Sequence, residues 1–235
     1  MIADHDPAIT VSPSDLSYLW EDCKRCFWLK YVTGRPRPRM PFPSVFNRLD
    51  KCMKSAFDGR STSILSKSLP EGGIILRRAK VTSDLLGVGR RFRFAGFVDA
   101  VISYYDGLIG VIDFKTGTPS AEGAERYARQ LGAYLVALAH PDHGVVNMLG
   151  PSGLLYWTPD PDAEHRLTES DLHNTPATAL SIVGRLTWSP LDDETLINLT
   201  MPLLIERLAE FFEKFGPDSD GPSPGDDCPF CHLVP

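Results

Sequence analysis

Phe92-Arg93-Phe94-Ala95-Gly96-Phe97-Val98-Asp99-Ala100-Val101-Ile102-Ser103-Tyr104-Tyr105-Asp106-Gly107-Leu108-Ile109-Gly110-Val111-Ile112-Asp113-Phe114-Lys115-Thr116-Gly117 is the stretch that decides the fold. Aromatic and β-branched residues dominate both arms, and Asp106-Gly107 between them is a hairpin signal. Each arm carries one carboxylate in apolar surroundings, Asp99 in the first and Asp113 in the second. Lys115, two residues beyond Asp113, points to the same face of a strand. Burying such charges unpaired is costly, which argues against a plain surface hairpin. Two carboxylates and an ammonium at one end of a hairpin can hold a divalent cation and polarise an attacking water.

Parity along the hairpin decides whether they can meet. A strict two-residue turn makes cross-strand partners sum to 213 and puts Asp99 and Asp113 on opposite faces. A three-residue loop, Tyr105-Asp106-Gly107, with Gly107 in the left-handed region, makes the sum 212 and sets Asp99 directly opposite Asp113. The expectation is this odd offset, or a bulge between the turn and the acids.

The ordered set Gly-x-x-Asp (Gly96 to Asp99), Asp-x-Lys-Thr-Gly (Asp113 to Gly117) and Gln-x-x-x-Tyr (Gln130 to Tyr134) resembles the active-site core of the PD-(D/E)XK nuclease superfamily. More closely, it is similar to the RecB-type exonuclease branch, which includes the CRISPR-adaptation exonucleases. The resemblance implies Asp99 and Asp113 as ligands of Mg²⁺ or Mn²⁺, Lys115 as the catalytic lysine, and Gln130 and Tyr134 as accessory active-site residues. It implies an α/β, restriction-endonuclease-like fold, a mixed central sheet flanked by helices. The family's upstream helix usually offers a histidine to the metal, and none lies between His5 and His140. Asn47 or Asp50 could substitute, or that ligand is absent.

Working outward, the 235 residues can bury a sizeable core, and 43% hydrophobic with 23% charged residues is an ordinary globular composition. No apolar run approaches the ~20 residues of a membrane span. The acidic start, Met1 to Pro7, lacks the basic and apolar character of a signal peptide, so the expected location is the cytoplasm. The net charge of −6 hides an asymmetry: residues 24–93 hold 17 of the 24 Lys and Arg and four acids (Asp50, Asp58, Glu71, Asp84), hence +13 there and −19 elsewhere. A basic segment beside an acidic hairpin suits a polyphosphate substrate, although charges spread over several solvated faces would give the same count. Arg35, Arg37 and Arg39 alternate with Pro, and Arg90, Arg91 and Arg93 lead into the hairpin. These six are the candidate nucleic-acid contacts.

Four of the five cysteines form Cys-x-x-Cys pairs far apart in the chain, Cys23/Cys26 and Cys228/Cys231. Four thiolates on one metal centre joining the termini is the economical reading. Both a 4Fe-4S cluster and a structural Zn²⁺ suit four cysteines. The family resemblance favours the cluster, though the usual arrangement there is one N-terminal cysteine and three C-terminal ones, and here it is two and two. Cys52 lies in an amphipathic pattern and reads as core or near-core.

The remaining expectations follow in chain order. Residues 1–11 form a flexible lead, 12–215 one nuclease-like domain, and 216–235 a tail returning to the cysteines. One helix runs from Ser12 or Ser14 to about Tyr31, placing Cys23 and Cys26 on one face. A stiff basic linker covers 34–43. A helix covers Ser44–Phe57 with Val45, Phe46, Leu49, Met53 and Phe57 on one face. Strands follow at Ile74–Val81, Arg90–Tyr105 and Leu108–Asp113, then a helix at Ala121–His140. Strands at Gly153–Thr158 and Ala179–Trp188 flank a polar loop, before a long helix at Asp192–Phe215. The functional expectation is metal-dependent hydrolysis of phosphodiester bonds in DNA, at single strands or ends, with no membrane partner and an open question over a protein partner. The alternative is a nuclease-derived DNA-binding module that cleaves poorly. A phosphoesterase acting on small substrates ranks third, because the basic segment speaks against it.

Overall fold

The computed structural model describes residues 8–38, 43–75, 80–89, 91–160, 184–225 and 227–231. Its centre is a five-stranded mixed sheet in the order β2 (Gly72–Ile75), β5 (Ala100–Tyr104), β6 (Ile109–Thr116), β7 (Gly153–Pro159), β8 (Gly184–Pro190). All neighbours are antiparallel except β6 and β7, which are parallel and joined by the crossover helix α5 (Ala121–Ala139). A second sheet has the order β1 (Ile9–Val11), β4 (Phe92–Phe97), β3 (Lys80–Thr82). Together these form the mixed α/β, restriction-endonuclease-like architecture anticipated from the sequence.

The hairpin has the odd offset. Ala100 pairs with Ile112, Val101 with Val111, Ile102 with Gly110 and Ser103 with Ile109. Gly107 sits at φ +88, which only glycine adopts without strain. Its N–H donates to the Tyr104 carbonyl, while the Tyr104 N–H donates to Leu108. The pairing ends at Ala100, and extended by one step its parity would set Asp99, in the bend before β5, opposite Asp113.

The first arm is not one strand. β4 stops at Phe97, and β5 begins at Ala100 in the other sheet. β4 gives its hydrogen bonds to β1 and β3, β5 gives its own to β2 and β6, and no single straight strand can serve both sets. Asp99 occupies the corner. The Ile74–Val81 expectation divides likewise between β2 and β3, with 76–79 outside the described residues.

Two layers cover the main sheet. On one face Ile102, Ile112, Phe114, Leu155 and Trp157 pack against Met53 and Phe57 of α4 (Ser44–Phe57). On the other, Leu154 and Tyr156 pack against Leu131 of α5. The largest cluster joins α5 and α6 (Met201–Lys214) to β1, β4 and the N-terminal helices, with Phe27, Phe92, Phe94 and Phe212 fully buried. Burial of such rings contributes about 2–3 kcal/mol each.

Several expectations are corrected. Ile9 to Val11 is not a flexible lead but a strand parallel to β4, held because its alternating Ile9 and Val11 enter the core. Residues 1–7 lie outside the described residues. The expected first helix is three: α1 (Pro13–Ser17), α2 (Leu19–Asp22) and α3 (Lys24–Tyr31), broken at Tyr18 and at Cys23, whose backbone is extended (φ −163, ψ 112). The α4 boundaries agree, but only Met53 and Phe57 are buried. Val45, Phe46 and Cys52 are exposed, and the contact with the sheet is made by Met53 and Phe57, with Leu49 partly buried beside them. The long C-terminal helix contains a π-type turn at Leu196–Thr200 before α6. Residues 161–183, which held the polar loop and the start of the Ala179–Trp188 strand, are outside the described residues. Among the described residues no helix is long and apolar enough to cross a membrane.

Candidate active site

The corner between the sheets, the end of β6 and the middle of α5 bring the five expected residues together. Asp113 is 2% exposed on β6. The Gln130 side-chain amide donates to Asp113 Oδ1 at 3.0 Å, and its carbonyl accepts from Lys115 Nζ at 3.1 Å. Lys115 Nζ also forms an ion pair with Asp113 Oδ2, an atom with no other polar partner among the described residues. The Gln130 Nε2 to Tyr134 hydroxyl distance is 3.4 Å, one helical turn apart on the buried face of α5. Asp99 Oδ2 accepts from the Phe114 N–H at 3.0 Å, tying the corner to the backbone just beyond Asp113.

Gly96 explains why the corner can approach α5. A Cβ there would lie 2.9 Å from Pro13 Cδ and 3.1 Å from Tyr134 Cε1. Any side chain would push β4 off both α1 and α5 and carry Asp99 away from Tyr134.

Sequence reading missed the groups that surround this set. Lys54 Nζ bridges Asp99 Oδ1 at 2.7 Å and Asp50 Oδ2 at 2.8 Å. An ammonium from α4 therefore stands where the missing histidine was sought, with Asp50 beside it. The i, i+4 spacing of Asp50 and Lys54 on an amphipathic helix was the available signal. Tyr127, one turn before Gln130, lays its ring under Lys115 Nζ at 4.2 Å and receives the Tyr18 hydroxyl at 3.1 Å. Tyr156 pairs with Lys115 in the ladder, and its hydroxyl is buried without a partner among the described residues. No local pattern announces Tyr18 or Tyr156.

Burial dominates the electrostatics. It pushes the Asp113 carboxyl up to about 6, against the Lys115 ammonium, which pulls the other way, with Asp99 adding to the rise. Burial also raises the Tyr134 hydroxyl well above the ordinary phenol range, so it stays protonated. An ionised carboxylate in so dry a site calls for more positive charge, which is what a divalent cation supplies. The donor set suits such an ion: hard carboxylate oxygens from Asp99 and Asp113, with Asp50 on the far side of the Lys54 ammonium from Asp99.

A second cluster lies away from this one. Among the described residues the only group of three or more His, Cys, Asp or Glu converging at metal-binding distance is Cys23, Cys26, Cys228 and Cys231, all buried. The Cys23 and Cys231 Sγ atoms are 3.3 Å apart, Cys26 and Cys228 3.5 Å, and Cys26 and Cys231 3.7 Å. Cys23 does not share a helix face with Cys26. It caps α3, and its Sγ accepts from the Cys26 N–H at 3.5 Å. For Cys23, burial opposes ionisation but backbone N–H donors from Cys26 and Gly225 overcome it and pull the thiol down to about 6. Burial pushes Cys26 up to about 12. Neighbouring thiols cannot all ionise together without a cation among them.

The candidate nucleic-acid arginines are divided by the structure. Arg37 lies on the cysteine cluster, with Nη2 3.6 Å from Cys228 Sγ and Nη1 3.5 Å from Asp22. Arg93 is paired with Asp142 at 2.5 Å. Arg35 Nε donates to Thr33 at 3.3 Å, and Arg91 is exposed at the start of β4. Arg39 and Arg90 lie outside the described residues.

An acidic pair with a lysine at the end of the central strand of a mixed sheet is the arrangement of a class of metal-dependent phosphodiester hydrolases. The sequence matches the family model for the PD-(D/E)XK nuclease superfamily over residues 66–233. The chain belongs to that superfamily, whose members are typically nucleases that use divalent metals. A solved structure titled "Crystal structure of SSO0001" is similar at 15% identity over 86% of this chain and 78% of that one, with a TM-score of 0.40. No curated protein sequence matches the chain.

Proposed function

We propose that the protein is a Mg²⁺- or Mn²⁺-dependent deoxyribonuclease of the RecB-type branch, acting as an exonuclease on single-stranded DNA or DNA ends. The observation that carries this reading is the convergence of Asp99, Asp113, Lys115, Gln130 and Tyr134 on one corner of the sheet. Asp99 and Asp113 would hold the cation, with Asp50 as a third carboxylate once Lys54 swings aside. A cation bound there lowers the pKa of a coordinated water and neutralises charge developing on the phosphate. The chain's own residues do the positioning. Gln130, held at both ends by Asp113 and Lys115, fixes where the ammonium points. Lys115 then presents donors to the attacking water or to a phosphate oxygen. Tyr134, kept protonated by burial, supplies a further donor at the same edge. Arg35 and Arg91 are the described candidates for phosphate contact, with Arg39 and Arg90 beside them in sequence.

The experiment is cleavage of end-labelled single- and double-stranded DNA with Mn²⁺, Mg²⁺ or EDTA. The expected result is metal-dependent shortening from an end, abolished by EDTA and by Lys115→Ala. Cleavage indifferent to EDTA would overturn the reading. Lys54 favours a second reading: an ammonium already neutralising Asp99 and Asp50 suits a binding module in which the cation site has been filled. Tight DNA binding without cleavage in any metal would select that alternative.

A further inference from the structure

We propose that Cys23, Cys26, Cys228 and Cys231 hold a single tetrahedral zinc ion, not an iron–sulfur cube, with Arg37 as its fixed counter-cation. The argument begins with sulfur spacing. Ligands about 2.3 Å from one tetrahedral ion lie about 3.8 Å from each other. In a cube the four irons occupy alternate corners and each thiolate stands a bond length further out, so the sulfurs are separated by about 6 Å. Here three of the separations are 3.3, 3.5 and 3.7 Å, and all four Sγ atoms lie within 4.8 Å of one another. That enclosure fits one ion and has no room for eight cluster atoms.

The backbone is shaped for the same ligand. Each Cys-x-x-Cys arm curls around a point. Cys23 is an extended residue capping a helix, and the Cys26 N–H turns back to its sulfur. In the other arm the Cys231 N–H donates to the Cys228 carbonyl at 3.3 Å, and the Cys228 N–H to Gly225 at 3.1 Å. Gly225 closes the lid: a Cβ there would lie 3.3 Å from Cys228 Cβ and 3.5 Å from Cys23 Sγ. Opening the site by the roughly 2 Å per sulfur pair that a cube needs would force both arms and this lid apart.

Charge completes the case. Four thiolates around a divalent ion leave a net double negative charge in a buried place. Arg37 lies against it, its guanidinium 3.6 Å from Cys228 Sγ and 4.7 Å from the Phe230 ring centre, with Nε buried and without a hydrogen-bond partner among the described residues. A cation so placed, and desolvated by the aromatic ring, offsets the charge and fixes the sulfur lone pairs toward the metal.

The test is metal content, read without DNA so that its outcome is independent of the nuclease reading. Full-length protein is made in cells supplied with both iron and zinc and purified without oxygen. The expected product is colourless, with one zinc per chain and no acid-labile sulfide. Exchange into cobalt should give the intense visible bands of a tetrahedral thiolate site. A brown protein with about four irons and matching sulfide overturns the proposal, and so does protein with no metal. Because cysteine variants can fail to fold, Arg37→Gln is the second arm. It should release zinc to a chelating dye about ten-fold faster, at unchanged circular dichroism, with Arg37→Lys in between. Unchanged release removes Arg37 from the centre.

Discussion

The protein has two clusters that call for a cation, and they are built in opposite ways. At the cysteine cluster the ligands already converge, every sulfur is buried, and the neighbouring cation is an arginine lying outside the set. At the acidic corner each carboxylate is already paired with an ammonium group, Lys54 on Asp99 and Asp50, Lys115 on Asp113. The first geometry is closed and suits an ion that stays. On the proposed reading the second would open a position for an ion and a phosphate, which is the difference between structural and catalytic metal sites. Lysines hold such a position cheaply, since a flexible stem can withdraw.

The sharpest test of this contrast is Asp113→Asn. It should lower cleavage by about a thousand-fold while leaving thermal stability equal or higher, because a carboxyl pushed upward by burial is a group the fold carries at a cost. A matching fall in melting temperature would show Asp113 to be structural. Next in size, stripping the cysteine centre with a strong chelator should lower the melting temperature by 10 °C or more, roughly 3 kcal/mol or beyond for a chain of this size. Mild EDTA that empties only the acidic corner should shift it by about 1 °C. Equal shifts would erase the distinction between the two clusters.

pH gives a smaller effect with a fixed sign. The folded Asp113 carboxyl, near 6, lies above its ordinary 3.8, so the native state binds the proton more tightly. Without added cation, the Asp113 contribution favours folding at low pH and is lost as pH rises from about 4 through 6. Divalent-ion affinity runs the other way, falling about ten-fold per pH unit below 6. Calorimetric titration with Mn²⁺ at pH 5, 6 and 7 measures this, and flat affinity would contradict it. The smallest effect is Lys54→Met. Removing the ammonium from Asp99 and Asp50 should tighten Mn²⁺ binding several-fold. Its effect on stability should stay within about 1 kcal/mol, as for other half-exposed pairs. Weaker Mn²⁺ binding would make Lys54 a support of the site and not a placeholder.

What could be read in the sequence was what short-range rules govern. The turn chemistry of Asp106-Gly107 and the parity of the strands gave the register, and helical spacing bounded α4 and put Gln130 beside Tyr134. The two Cys-x-x-Cys pairs announced their own meeting. What escaped depends on partners distant in the chain. Nothing local tells Val98-Asp99 to turn from one sheet to another, since Phe94 to Tyr105 is good strand sequence throughout and only β1, β2, β3 and β6 divide it. The three residues of β1 look like the end of a flexible lead until their parallel partner is known. Tyr18 reaches the acidic corner only because the first helix breaks beside it. Arg37 was read as a phosphate contact from its alternation with proline, yet the sulfur it touches, on Cys228, is 191 positions away.

That separation has a consequence for how the molecule is made. Cys23 and Cys231 are 208 positions apart. At a synthesis rate of about 5–20 residues per second, the first pair of thiols waits on the order of ten to forty seconds for the second. During that interval a half-made site can be oxidised or can capture the wrong metal. Once closed, the centre ties the chain into a ring, and by the loop-closure relation a ring of this length removes about 5 kcal/mol of conformational freedom from the unfolded chain. The clasp that fastens last is therefore the one with the longest thread to hold.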